Sequence, residues 1–234
     1  APSRGFCNIE FWDLAQGYQV DLDENADVMW TGDPIPFSTD IPIAEGWNMI
    51  AYFPTYELDV SAPDFYGVEG IIDHILVMKD EFGHFLSPAW EFSNMAPLRE
   101  GEGYQINVDQ ALVLNYPEQQ ENLMSFNPDH FNTHWTPPTA TSSNMSILVH
   151  SVQGAELHTG NEIAAINRAG QIVGTGTINN EGQCGLAVWG DEPETETVEG
   201  LFEKEAFFLR LWKCETGEEV SLSVGSLLEG NGLI

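Results

Sequence analysis

The chain has 234 residues, of which 42% are hydrophobic and 11% aromatic, enough for the cores of one large or two ordinary domains and too much for global disorder. Thirty-seven Asp and Glu against seven Lys and Arg leave a formal net charge of −30. Phosphate contacts need clustered cations, so this balance argues against nucleic acid and anionic membranes as partners. Such a surface repels copies of itself unless cations screen it. That fits a saline extracellular setting or divalent-cation binding, and equally a generally acidic proteome. No apolar run approaches the roughly 18 residues of a membrane span. Ala1-Pro2-Ser3-Arg4 lacks the charged and apolar regions of a secretory leader, so the numbering is expected to begin at a processed end.

Residues 1–45 are strand material cut by turns, with Phe6, Ile9, Phe11 and Trp12 apolar. The stretch Gly17-Tyr18-Gln19-Val20-Asp21-Leu22-Asp23 returns later as Gly103-Tyr104-Gln105-Ile106-Asn107-Val108-Asp109. Period-two aliphatics followed by a polar break predict a β-hairpin for each copy, over residues 17–30 and 103–117. Prolines at 34, 36 and 42 oppose any helix between the first copy and the strand predicted over 46–53, which Pro54 closes. The best helix candidate is 61–75, with Ser61 as cap, Pro63 in the first turn and Val68, Ile71, Ile72 and Ile75 at helical spacing. Gly67 and Gly70 weaken it. Residues 75–80 and 84–86 read as a strand and its return around a turn at 81–83.

Polar, turn-rich sequence over 118–143 marks a connector. Beyond it, six short strands are predicted at 145–149, 162–167, 171–177, 185–189, 207–212 and 220–224, separated by Gly, Asn and Glu turns. The expected fold class is therefore mainly β with two β-rich domains. Residues 1–120 form a sheet domain with one short helix, 121–143 the connector, and 144–234 an Ig-like or jelly-roll-like β-sandwich.

Three cysteines are an odd count. Cys184 and Cys214 flank two apolar strands and are candidates for a disulfide in an oxidising compartment, if their Cα atoms approach closely enough. Cys7 would be left as a buried thiol or an intermolecular link. Asp191, Glu192, Glu194, Glu196 and Glu199 crowd one loop, where hard Ca²⁺ would find oxygen ligands and relieve repulsion. A solvated acidic loop explains them as well. Asp21, Asp23 and Glu24 are a poorer version. His130 and His134 have the i, i+4 spacing of a helical zinc pair, but they precede Pro137-Pro138 and no Glu follows His130, so the metalloprotease motif is absent. Trp47, Trp189 and Trp212 lie inside strand patterns and are expected in cores, whereas Trp12, Trp30, Trp90 and Trp135 are less determined. Carboxylates are too abundant for any glycosidase-like pair to be informative. No Gly-x-Ser-x-Gly, Cys/His nucleophile or phosphate-cradling Gly loop occurs, and 170–176 reads as a hairpin turn with a strand. No enzymatic activity and no catalytic residue are expected.

Gly46-Trp47-Asn48-Met49-Ile50-Ala51-Tyr52-Phe53-Pro54, the run from Ile75 to Phe85 (Ile-Leu-Val-Met-Lys-Asp-Glu-Phe-Gly-His-Phe) and Gly101-Glu102-Gly103-Tyr104-Gln105-Ile106 together resemble a repeat unit of large secreted bacterial proteins. Such proteins are typically exported by the type IX system and end in a sorting domain. Asn144-Met-Ser-Ile-Leu-Val149, Gly160-Asn-Glu-Ile-Ala-Ala165, Val173-Gly-Thr-Gly176, Leu186-Ala-Val-Trp-Gly-Asp191 and Phe208-Leu-Arg-Leu-Trp212 resemble a module that often accompanies it. The resemblance implies a secreted or surface-displayed β-protein with a structural or adhesive role. No catalytic residues define either module, so none carries over. Two departures are the missing Gly-Trp-Asn half of the first repeat and the absence of a sorting domain after Gly230, both accounted for by proteolytic maturation of a longer precursor.

The leading expectation is a filament subunit that assembles head-to-tail by β-strand complementation, through a half-repeat bearing Ile9, Phe11, Trp12, Tyr18, Val20 and Leu22. Its rival is that residues 1–45 fold back on 46–120 of the same monomer. The alternative function is a carbohydrate-binding surface module, and the expected partners are other copies of the chain, a cell surface or a polysaccharide.

Overall fold

The structure is a computed structural model that describes residues 11–20, 27, 29, 31–120, 133–192 and 195–230. It is mainly β, and every pairing between its strands that is resolved residue by residue is antiparallel. Contacts along the chain define two units, one of Ala1–Asp80 with Leu86–Phe126 and one of Glu81–Phe85 with Asn127–Ile234.

The first unit is built on β1 (Ile41–Ile43), β2 (Gly46–Ala51), β3 (Ile75–Lys79), β4 (Phe85–Ser87), β5 (Phe92–Ser93), β6 (Gly103–Val108) and β7 (Leu112–Leu114). Five of them form a sheet in the order β2-β6-β3-β4-β5, and β1 pairs with β7 in a separate two-stranded ladder. Period-two alternation sends Tyr104, Ile106 and Val108 of β6 into the core with Ile50 and Met78, all nearly inaccessible to water. Tyr52, Tyr104 and Tyr116 pack edge to face at centroid distances of 6.2 and 4.9 Å around Tyr52. Each hydroxyl finds an acceptor as it is buried. Tyr116 donates to the Ala51 carbonyl (2.8 Å), Tyr52 to the Tyr56 carbonyl (2.6 Å) and Tyr104 to Glu102 (2.8 Å).

Three expectations for this unit are corrected. The second Gly-Tyr-Gln copy is not half of a hairpin, because β6 is flanked on both edges by β2 and β3, and β7 must turn away to β1. The helix is a 3-10 helix over Tyr66–His74, not an α-helix from Ser61. Ser61 Oγ bonds to Asp59 rather than capping a helix, and Phe65, in the left-handed region at φ 46°, redirects the chain into the first turn. Gly67 stands in a tight place, where a Cβ would sit 3.1 Å from the side chains of both Leu58 and Val60. The first Gly-Tyr-Gln copy forms no strand at residues 17–20, while residues 21–26, 28 and 30 of its expected hairpin lie outside the described residues.

The second unit is β-sandwich-like. Its strands are β8 (Asn144–Val149), β9 (Glu162–Ile166), β10 (Ile172–Thr177), β11 (Cys184–Trp189), β12 (Phe208–Lys213) and β13 (Glu218–Leu222). One sheet runs β10-β9-β12-β13 and the other pairs β11 with β8. Ile163, Ala165, Val173, Leu186, Val188 and Leu211 make the core. The chain passes from β10 to β11 through the bridge Ile178↔Cys184. Gly174 and Gly176 of β10 lie so close to β11 that an added Cβ would stand 2.3 Å from the Ala187 carbonyl oxygen and 2.4 Å from that of Gly185. The Gly-Thr-Gly stretch is therefore a packing device within a strand.

Candidate functional site

The sheet of the first unit ends at β2, and the only described segment against its outer edge is 11–20. The contact is a single antiparallel bridge, Gln16↔Ile50. The Gly17 N–H donates to the Met49 carbonyl (3.0 Å) and the Ala51 N–H to the Ala15 carbonyl (3.4 Å). Gly17 permits this approach, because a Cβ would stand 2.8 Å from the Ile50 oxygen. On either side of the bridge the segment leaves large apolar side chains in water: Phe11 is 83% exposed, Trp12 58%, Leu14 66% and Val20 65%. Residues 12–18 close on themselves in a small hook. The Trp12 ring stands edge-on to Tyr18 at 4.5 Å, the Tyr18 hydroxyl accepts the Asp13 N–H (2.7 Å), and the Asp13 carboxylate accepts the Ala15 N–H (2.9 Å). Among the residues expected to mediate assembly, Phe11, Trp12, Tyr18 and Val20 are thus gathered at this edge, and Ile9 and Leu22 lie outside the described residues.

On the outer face of the same sheet Trp47 is 54% exposed, contrary to its expected place in a core. Register explains it: Trp47 alternates with the buried Ile50 side of β2 and stands opposite Asn107 of β6. The Lys79 ammonium lies 5.3 Å from the Trp47 ring centroid, and burial pushes its pKa down. Trp189 is buried as expected, whereas Trp212 is half-buried.

In the second unit the described part of the expected connector is fastened to the four-stranded sheet. Glu162, a buried carboxylate in β9, accepts the N–H groups of His134 (2.7 Å) and Trp135 (3.3 Å). The His134 ring stacks on Trp212 at 4.7 Å and 3° and bonds through Nε2 to Glu219 (2.9 Å). Arg210 donates to the other oxygen of Glu219 (2.9 Å). Hydrogen bonds from His134 and Arg210 hold the Glu219 carboxyl below its usual range. The i, i+4 histidine pair cannot be completed among the described residues, because His130 lies outside them. Sequence reasoning missed Glu162; its only signal is one carboxylate leading the otherwise apolar run Glu162-Ile-Ala-Ala-Ile166.

The described residues of the acidic loop do not gather into a cation cage. Asp191 accepts the Glu199 N–H (3.0 Å), Glu192 accepts the Ser142 N–H (3.1 Å), and Glu199 accepts the hydroxyls of Thr195 (2.8 Å) and Thr197. Those hydroxyls lower the Glu199 pKa. Glu196 is exposed, and Glu194 lies outside the described residues. No group of three or more His, Cys, Asp or Glu among the described residues is placed to hold a metal ion. The expected Cys184–Cys214 disulfide is also absent: both are free thiols. Cys184 packs into the core from β11, and burial pushes its pKa up to about 12, while Cys214 is exposed beyond the end of β12, in the other sheet. Cys7 lies outside the described residues.

No known protein family matches the chain, and no curated protein or solved structure is significantly similar to it.

Proposed function

We infer that this chain is a secreted, surface-displayed structural or adhesive protein, and that it assembles by adding segment 11–20 of one copy to the open β2 edge of another. The observation that carries this reading is that, among the described residues, the outer edge of β2 meets only the apolar segment 11–20, and at one bridge. An edge strand with outward N–H and C=O groups is a template for strand addition, and main-chain hydrogen bonds supply the affinity. Charge supports the same location. On a chain of net charge −30, residues 11–20 carry one charged group, Asp13, and β2 carries none. Copies can therefore approach there without the repulsion that holds the rest of their surfaces apart. A head-to-tail contact of this kind extends into a filament unless the rotation between copies closes a ring.

Sedimentation velocity of the intact protein over a concentration series in physiological salt, with electron microscopy of the same samples, tests the reading. Growing linear species are expected, and a monomer at every concentration refutes assembly. Recovery of the chain from the cell interior instead of the surface or medium refutes the secreted location.

A second reading, a carbohydrate-binding module, draws on the exposed Trp47 ring with the Asn107 amide opposite it. Retention on a polysaccharide column that Trp47→Ala abolishes would favour it over assembly.

A further inference from the structure

We propose that the donor segment pairs with β2 of a second copy by continuing the register already begun at Gln16↔Ile50, and that the Trp12–Tyr18 hook is the gate that limits it. This proposal rests on the assembly reading above and adds to it the partner residues, the face and the control. The bridge fixes the parity. Antiparallel partners share a face, so advancing from Gln16↔Ile50 sets Gly17 opposite Met49, Tyr18 opposite Asn48, Gln19 opposite Trp47 and Val20 opposite Gly46. Ile50 faces the core and Trp47 faces water. Tyr18 and Val20 then fall on the core side, and Gln19 beside Trp47 on the wet side. Since Met49 O and Ala51 N already bond to the segment, the same outward edge offers the Met49 N–H and both main-chain groups of Trp47.

β6 is the internal precedent. It carries the same Gly-Tyr-Gln-aliphatic sequence, pairs antiparallel with the opposite edge of β2, and buries Tyr104, Ile106 and Val108 on the core side. Val108 stands opposite Gly46 there, as Val20 would on the free edge, and nothing lies within 4 Å of where a Gly46 side chain would project. In the isolated chain the pairing stops at the bridge. Tyr18 is turned onto Trp12 and the Asp13 N–H, so it cannot also reach the core side of β2. Opening the hook and extending the strand are mutually exclusive with the closed form.

The test uses the intact protein and measures the concentration at the midpoint of assembly by sedimentation velocity. Val20→Asp removes an exposed side chain from the isolated chain but places a carboxylate on the core side of the joint, so the midpoint is expected to rise at least about tenfold, in line with leaving a buried charge unpaired. Gln19→Asp introduces the same charge one residue away on the wet face and is expected to shift it by less than about threefold, as exposed charges do. Tyr18→Phe keeps the ring but deletes the hydroxyl acceptor of the hook. It is expected to lower the midpoint by about two- to tenfold, the equivalent of one hydrogen bond. If wild type never assembles, the assembly reading itself falls. If wild type assembles but Val20→Asp and Gln19→Asp act alike or in reverse order, the register is wrong while assembly stands. If Tyr18→Phe leaves or raises the midpoint, the gate is refuted. Protection of the Trp47 and Met49 amides from hydrogen exchange that does not vary with concentration would assign the strand to the same chain and overturn the second copy as occupant.

Discussion

Gly174→Ala is the sharpest test of how the second unit is packed. The added methyl would lie 2.3 Å from the Ala187 carbonyl oxygen and 3.2 Å from both the Ala187 carbonyl carbon and the Val188 Cα. All three obstacles are backbone, so no side chain can rotate aside. Ordinary contact begins at 3.4 Å, so β10 and β11 must part locally by about 3.4 − 2.3 = 1.1 Å. Tightly packed interiors tolerate such a shift poorly, and overpacking costs about 1–3 kcal/mol. Against that, replacing a glycine outside the left-handed region returns about 0.4–1 kcal/mol by restricting the unfolded chain. The net expectation is a loss of about 1–2 kcal/mol from the second unit. Urea unfolding of the intact protein, followed by near-ultraviolet circular dichroism and by the fluorescence of buried Trp189, measures it. Gly70→Ala is the control, because nothing lies within 4 Å of its added methyl, and it should be neutral or slightly stabilising. A Gly174→Ala protein that unfolds at the wild-type midpoint would refute the backbone-to-backbone packing of β10 on β11.

An alkylating reagent should modify Cys214 in the native protein but reach Cys184 only on unfolding, since Cys184 is buried and its thiol is pushed up to about 12; a Cys184–Cys214 peptide in a non-reduced digest would overturn this. Glu219 has a folded-state pKa below its unfolded one, so its contribution is present above the ordinary carboxyl range and lost as pH falls through the folded value. His134→Ala should therefore destabilise the second unit at neutral pH by less than about 1 kcal/mol, as the loss of one hydrogen bond to a partly exposed carboxylate does, and the part of the difference carried by Glu219 should vanish in strong acid. Equal differences at all pH values would show that the stack on Trp212, not the carboxylate, is what matters. Burial raises the pKa of Tyr52, Tyr104 and Tyr116. Their stabilising effect is complete below the ordinary phenol range and declines as pH rises above it, so tyrosinate absorbance from these three should appear together with unfolding of the first unit.

The six strands of the sandwich were legible because short apolar runs alternate with Gly, Asn and Glu turns, and every one forms within two residues of its expected bounds. The buried half of β2 was legible for the same reason, but not which of its side chains faces water: Trp47, Met49 and Ile50 are all apolar, and only the pairing with β6 settles the face. The two Gly-Tyr-Gln copies show the limit most clearly. Their local sequence is nearly the same, yet one is an interior strand of a five-stranded sheet and the other forms no strand over its described residues 17–20. Strand identity here is decided by the number of partners on either side, which is a tertiary property that period-two alternation does not encode. The helix is the opposite case. It forms, but as a 3-10 segment that starts at Tyr66, after the left-handed Phe65, rather than at Ser61. The Tyr18 hook left no sequence signal, because an aromatic pair six residues apart becomes a contact only once the backbone folds over Asp13.

The acidity of the chain and its open edge bear on the same problem. An exposed edge beside apolar side chains invites indiscriminate aggregation, and proteins counter this with charge near the edge. Here the charge lies elsewhere on the surface, and the edge itself is neutral. Repulsion between whole molecules then opposes every encounter except one that brings β2 against the nearly uncharged segment 11–20. Selectivity comes from where the carboxylates are missing more than from where they stand. The consequence is a particular salt response: screening should favour association increasingly as ionic strength rises, with Na⁺ and Ca²⁺ equivalent once ionic strength is matched. A calcium requirement at constant ionic strength would instead point to carboxylates converging at the joint, and it would remove the reason for the edge to be bare of charge.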